Sequence, residues 1–381
     1  MKSKFSFLVL LLALATGGQR STAQVTNLGM GPAGSQHLIY WPLSTTNYVL
    51  QSSSNLAAGS WTTVTNATTI SAVTVPNTAA MATYRLLPTN SPTAGMALIP
   101  GGAFTLGNYL FYATGTNDPD YLDASPTNVT VSPFYIDTNL VSLTQWTAVY
   151  AYATGQGYTF THPGTSRAGN NPVQTVSWFD ATAWCNARSA QAGLPPCYFT
   201  EAALTHPYTN ASGTNVYLKI ANNGYRLPTE AEWEKAARGG LIGLRFPWGN
   251  LITENLACYY AAPGALSYDV NPYAGFNTNY IIGYTAYTSP VGSFAPNGYG
   301  LYDMAGNVLQ WCGDWYAGPP FPAGSPYLGG TNATGAATGK MRVMRGGYWG
   351  AQASYSRTAA RNSYAPVNAN YLVGFRCVKG L

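Results

Sequence analysis

Carboxylates, a late serine and scattered thiols are the residues of this chain whose types could do chemistry. Glu230, Glu232 and Glu234 stand at alternate positions in Thr229-Glu230-Ala231-Glu232-Trp233-Glu234. General acid/base work by two carboxylates needs an opposed pair flanking a bond, and no such partner is visible. Thr229 followed three residues later by Glu232 reads instead as a helix capping box, and Glu230 as a first-turn acid that complements the helix dipole. Ser356 as a nucleophile would need a base and an oxyanion hole. The only histidines are His37, His162 and His206, and none has a visible route to it. Nor do these histidines make a His-x-x-x-His pair or a carboxylate facial set of the kind that holds zinc or nonheme iron. The thiols are Cys185, Cys197, Cys258, Cys312 and Cys377. An odd count leaves at least one of them free.

The elements that position these groups are announced by local signals. Ser142 with Gln145, Ser177 with Asp180, and Thr229 with Glu232 each place a hydroxyl three residues before an acceptor, and predict helices running to Gly155, Gly193 and Gly239. The Asp180 version is the looser box. Elsewhere Gly, Asn, Pro and aromatic residues dominate, which predicts short strands and long loops. From Leu38 to Leu87, apolar residues such as Ile39, Trp41, Tyr48, Leu50, Val73 and Val75 alternate with polar ones between Asn/Ser/Gly/Pro breaks, the pattern of several short strands. So small a β domain buries little surface and leans on its neighbour. Pro88-Thr89-Asn90-Ser91-Pro92-Thr93 has the composition of a linker.

Charged residues make up 8% of the 381 residues, against about 25% in an average domain. Lys2, Lys4, the apolar run Phe5 to Thr16 and Ser21-Thr22-Ala23 have the three regions of a secretory signal peptide, cut after Ala23. A retained anchor is the other reading of this segment, but its core is shorter than the roughly 20 apolar residues a span requires. Removing the signal leaves fifteen basic against thirteen acidic residues, so the formal charge of +5 falls to +2. No Lys/Arg cluster occurs, which argues against a nucleic-acid partner. The expected organisation is a signal peptide (1–23), a small β domain with its linker (24–92) and a larger domain (93–381). Export makes the chain secreted, periplasmic or cell-surface, with no membrane span after cleavage, and permits disulfides.

Four motifs of the larger domain belong together: Met96-Ala97-Leu98-Ile99-Pro100-Gly101-Gly102-Ala103-Phe104; Gly224-Tyr225-Arg226-Leu227-Pro228-Thr229-Glu230-Ala231-Glu232-Trp233-Glu234; Gly298-Tyr299-Gly300-Leu301-Tyr302-Asp303-Met304-Ala305-Gly306-Asn307; and Gly374-Phe375-Arg376-Cys377. In these the chain resembles the formylglycine-generating (sulfatase-modifying factor) family. The resemblance implies an α+β, C-type-lectin-like fold with little regular structure, preceded here by the small all-β domain. It also implies an oxidase site in which two cysteines bind copper(I), since soft thiolates select that ion. Laid on that pattern, Arg345-Gly346-Gly347-Tyr348-Trp349-Gly350-Ala351-Gln352-Ala353-Ser354-Tyr355-Ser356 puts Ala351 and Ser356 at the cysteine positions. Neither supplies a thiolate, so no copper is expected and the family oxidation is not.

Further expectations follow from the same resemblance. A structural calcium site carries over to Asp303, Gly306, Val308 and Gln310, hard oxygen donors in part from the backbone; Gln310 stands where the family has Glu. A second family calcium site is not expected, because Cys258 replaces its asparagine. A family disulfide maps to Cys185 and Cys377, while another maps to Ala237 and Thr358 and is lost. Cys197 with Cys258 is a further possible bridge, and a buried free thiol is the alternative for Cys312 beside Trp311. With 29 tyrosines and ten tryptophans in the chain, Tyr348, Trp349, Tyr355 and Tyr364 would line the emptied groove and bind a peptide, protein or glycan, because rigid amphipathic rings give contact area at low entropy cost. The two functions this supports are a noncatalytic binding or scaffold module, and a divergent enzyme, including the nonheme-iron branch of the superfamily, working in the same cleft.

Overall fold

The computed structural model describes residues 93–108, 126–282, 285–318 and 330–381, with the backbone of six short strands between 29 and 88. The signal peptide expected at 1–23, the His37 side chain and most of the linker lie outside the described residues. The chain divides into two compact units, Met1–Leu87 and Pro88–Leu381. In the first, Gly29–Ala33, Gln36–Tyr40 and Ala72–Pro76 form one three-stranded sheet, and Thr62–Ala67, Tyr48–Ser53 and Thr83–Pro88 another.

The second unit is α+β, with three α-helices among the described residues and strands that are mostly two to five residues long. Its first and last strands meet in one sheet, in the order Tyr225–Arg226, Val378–Lys379, Phe134–Asp137, Met96–Ile99. A second sheet runs Asn362–Tyr364, Arg342–Arg345, Leu309–Trp315, Val373–Gly374, and its last pair is parallel. Helix α1 is Leu143–Gly155, α2 is Trp178–Gln191 and α3 is Glu230–Ala237.

Helix starts follow the capping hydroxyls. Ser142, Ser177 and Thr229 are the N-caps. The box at Asp180 closes in both directions, as does the one at Glu232, whereas Ser142 only accepts from the Gln145 amide. A shorter acid thus serves as well as a longer one when its carboxylate has other work: Asp180 also accepts from Thr161 and lies 2.7 Å from His162 Nδ1. Gly193 and Gly239 have φ of +68° and +58° and lie just beyond the ends of α2 and α3, as glycine terminators should. At α1 the positive-φ glycine is Gly157, not Gly155.

Helix α2 is buried from Trp178 to Ser189. Trp184 stacks on Trp146 of α1 at 5.7 Å between ring centres, and Phe375 closes edge-on at 5.3 Å. The three glutamates of α3 are structural. Glu232 takes Arg226 in a bidentate pair at 2.6 and 2.7 Å, Glu230 takes Arg361 at 2.6 and 2.8 Å, and Glu234 is shared by Arg238 and Arg345. All three are under a tenth exposed, so much of the chain's scarce charge is spent inside, fixing α3 against the second sheet.

Candidate functional site

The segment expected to carry the site leaves the strand Arg342–Arg345 through Gly346 and Gly347, at φ of +95° and +74°. A Cβ on Gly347 would lie 2.7 Å from Ser356 Oγ and 2.9 Å from the Tyr355 carbonyl. Glycine is therefore required there twice over, by backbone conformation and by space. The chain then passes Ala351, which is 4% exposed and whose carbonyl accepts from the Tyr260 amide at 2.9 Å, and enters a short 3₁₀ turn, Ala353–Ser356. Arg345 holds the continuation by donating to the carbonyls of Thr358, Ala359 and Ala360.

Ser356 is fully buried, and its Oγ has no hydrogen-bond partner. No described side chain is placed to take its proton. His162 is held by Asp180 at 2.7 Å and His206 by Glu201 at 3.1 Å. Between Cys312 and Cys377 the sequence holds no cysteine, so the segment has no thiolate of its own.

What this region does present is aromatic. Tyr348 faces Tyr355 at 6.4 Å; Phe276 contacts Trp349 at 5.7 Å and Tyr260 at 4.9 Å; Trp349 contacts Tyr371 at 6.2 Å. Gly350 joins the two sets, since a Cβ there would touch both Tyr348 and Phe276. Tyr355 and Tyr371 are 46% and 60% exposed, and the other four are half-buried. Burial raises the Tyr348 hydroxyl pKa, with Tyr355 and Tyr371 adding to the rise, so the phenol is neutral at physiological pH. Tyr364 is half-buried, stacks on buried Trp311 at 6.3 Å and, like Tyr348, packs against the core. Tyr260, Phe276 and Tyr371 complete the face. They come from separate loops, and only the pairing of Tyr260–Ala261 with Gly275–Phe276 brings the first two together.

The loop expected to hold calcium is arranged differently. Gln310 Oε1 accepts from Trp233 Nε1 and Arg376 Nε, both at 2.8 Å, and its Nε2 donates to the Asp303 carbonyl at 2.8 Å. Arg376, fully buried, also donates to the Tyr302 carbonyl at 2.6 Å. The Asp303 carboxylate accepts from the Gly292 amide and from Asn307 Nδ2, and the Gly306 amide donates to the Gly346 carbonyl at 2.6 Å. Both lone pairs of the Gln310 oxygen are taken, and a guanidinium already supplies positive charge. Of the expected set Asp303, Gly306, Val308 and Gln310, the Gln310 oxygen is therefore engaged within the protein rather than offered to a cation. Burial raises the Asp303 pKa, with the Gly292 amide, Arg376 and Asn307 opposing the rise.

All five cysteines are buried thiols. Cys185 and Cys377 are in sulfur contact at 3.5 Å, where a bond would need about 2.05 Å. Burial pushes the Cys185 thiol up, with Cys377 beside it adding to the rise. Cys197 and Cys258 do not face one another: the first sulfur points to the Asn222 carbonyl and the second to that of Tyr287.

Fold and sequence together define a sulfatase-modifying-factor domain. The sulfatase-modifying factor enzyme 1-like domain family matches residues 83–381, and the chain belongs to it. It is 34% identical over 312 residues to a formylglycine-generating enzyme of Thermomonospora curvata, covering 76% of this chain and 96% of that one. It is 33% identical over 319 residues to the formylglycine-generating enzyme of Streptomyces coelicolor, covering 80% and 96%. Among solved structures, Treponema denticola variable protein 1 is similar with a TM-score of 0.56 and 30% identity, over 75% of this chain and 95% of its own. No helix among the described residues is long and apolar enough to cross a membrane.

Proposed function

We propose that this chain is an exported pseudoenzyme: a sulfatase-modifying-factor domain that has kept the fold, lost the oxidase chemistry, and recognises a protein ligand on the aromatic face around Tyr348, Trp349, Tyr355 and Tyr371. The observation that carries the reading is the pairing of two facts at one place. The segment 346–356 offers a buried serine with no base and no thiolate, while the rings beside it reach solvent. Copper-dependent oxidation needs soft sulfur ligands, which Ala351 and Ser356 do not provide. The residues from Tyr348 to Tyr371 are rich in Tyr, Ser, Asn and Ala, a composition that suits recognition by rigid rings with adaptable polar contacts. The composition of residues 1–23 supports export.

Two measurements test it. Purified protein with copper and oxygen should leave a Cys-x-Pro-x-Arg peptide unoxidised; turnover above a blank refutes the loss of chemistry. A panel of extracellular proteins and glycans, read by biolayer interferometry, should yield a protein ligand. Its binding should fall by about a hundredfold or more when Tyr355 and Tyr371 are both changed to Ser, consistent with aromatic hot spots, while the melting temperature is unchanged. Binding indifferent to both substitutions would place recognition elsewhere.

A further inference from the structure

On another part of the domain, the strand Gly102–Leu106, the C-terminal turn of α3 and the loop after it enclose an open cavity of about 230 Å³. Phe104, Lys235, Arg238, Leu241, Ile242 and Tyr299 are among its lining residues. Its rim is apolar: Leu241 and Ile242 are 41% and 76% exposed, a costly placement for two adjacent aliphatic side chains unless something covers them.

Its charge is confined to two residues with different roles. Arg238 is engaged by Glu234, at 2.6 and 3.1 Å, which it shares with Arg345, and donates to the Gly107 carbonyl. Lys235 faces no carboxylate among the described residues. Its Nζ donates to the Gly102 carbonyl at 2.6 Å and lies 5.7 Å from the centre of the Phe104 ring. Burial alone lowers its pKa, as befits an ammonium without a counterion. An ammonium has three N–H donors, and one is used. The negative end of α3 does not compete for the remaining two, because Asn297 Nδ2 caps the Ala236 and Ala237 carbonyls at 2.8 and 3.1 Å.

We infer that this cavity binds a small monocarboxylate with an apolar tail, the carboxylate meeting Lys235 Nζ and the tail lying between Phe104, Leu241 and Ile242. A single ammonium without a guanidinium fork or a helix N-terminus matches one negative charge rather than a phosphate. The open cavity, about 230 Å³, has room for the short apolar chain of a medium-chain acid.

Octanoate, with octanol as its neutral counterpart, tests this on the full chain by titration calorimetry at pH 7. Octanoate is expected to bind at least about tenfold more tightly than octanol, the preference a charge-assisted hydrogen bond gives. Lys235→Met should erase that preference. Ile242→Glu, at an exposed rim position, should weaken octanoate more than octanol and leave the melting temperature unchanged. Equal binding of the two probes, no octanoate binding at millimolar concentration, or a preference that survives both substitutions would overturn the inference. Because Ile242 is exposed, its variant keeps the test decisive even if Lys235→Met fails to fold.

Discussion

Glu234→Gln tests whether the buried ion network holds the domain together. Glu234 is 1% exposed; its Oε1 accepts from Arg238 Nε, Arg238 Nη2 and the Gly107 amide at 3.1, 2.6 and 2.7 Å, and its Oε2 meets Arg345 Nη2. Arg345 is fully buried, and its other acidic neighbour, Glu230 at 3.4 Å, is already committed to Arg361. Glu234 thus serves two guanidiniums at once, and the substitution removes the charge that both of them face. Stranding a buried charge costs about 3–5 kcal/mol. The glutamine keeps an acceptor oxygen, which places the expected loss near the lower end, about 3 kcal/mol, against a total stability of about 5–15 kcal/mol. With a urea slope of about 2 kcal/mol/M, the midpoint of the described domain's transition should fall by about 1.5 M with the slope unchanged. A loss below about 0.5 kcal/mol, the range of an exposed pair, would refute the burial argument.

Two other perturbations follow from buried titratable groups. Glu254 is 5% exposed, and the groups acting on its carboxylate are Tyr273, Asn271 and Asp269, none of them a cation. Burial raises its pKa above 4.5, Asp269 adds to the rise, and Tyr273 and Asn271 oppose it. The folded chain therefore holds this proton more tightly than the unfolded one, so stability falls as pH rises from 4.5 through the raised value; Glu254→Gln should flatten that part of the profile in urea midpoints at pH 5 and 7, and identical slopes would refute the assignment. For the thiols, oxidation should link Cys185 to Cys377, closing a separation of 192 residues and adding about 2–5 kcal/mol. Mass mapping of nonreduced peptides should find that pair joined and Cys312 alkylated after unfolding; both cysteines free in protein recovered from an oxidising compartment would refute the pairing.

Helix starts were legible in the sequence because a capping box is a local object: the hydroxyl, the amide it satisfies and the returning carboxylate span four residues. The same locality accounted for Glu232 and Glu230, but gave no local role for Glu234. Two of the arginines were not legible, since Arg345 and Arg361 arrive from more than a hundred residues away. The surroundings of the loop expected to hold calcium were hidden for a related reason. Asp303, Gly306, Val308 and Gln310 have the right spacing, but the fate of the Gln310 oxygen is decided by Trp233, 77 residues before it, and Arg376, 66 residues after it.

Placing so many of the few charges inside has a consequence for what the outside can recognise. Arg188, Arg226, Arg238, Arg342, Arg345, Arg357 and Arg376 are each less than a tenth exposed, as are Glu230, Glu232, Glu234 and Asp137. At the face around Tyr355 and Tyr371 the exposed groups are rings. On the proposed binding reading, recognition there would come from ring contact and from hydrogen bonds formed at short range, which would make its selectivity a matter of shape. Such a surface tolerates replacement of one ring by another of similar size far better than loss of the Gly346-Gly347 turn. That turn, with its required positive φ and its 2.7 Å approach to Ser356, fixes where Tyr348, Trp349 and Tyr355 emerge.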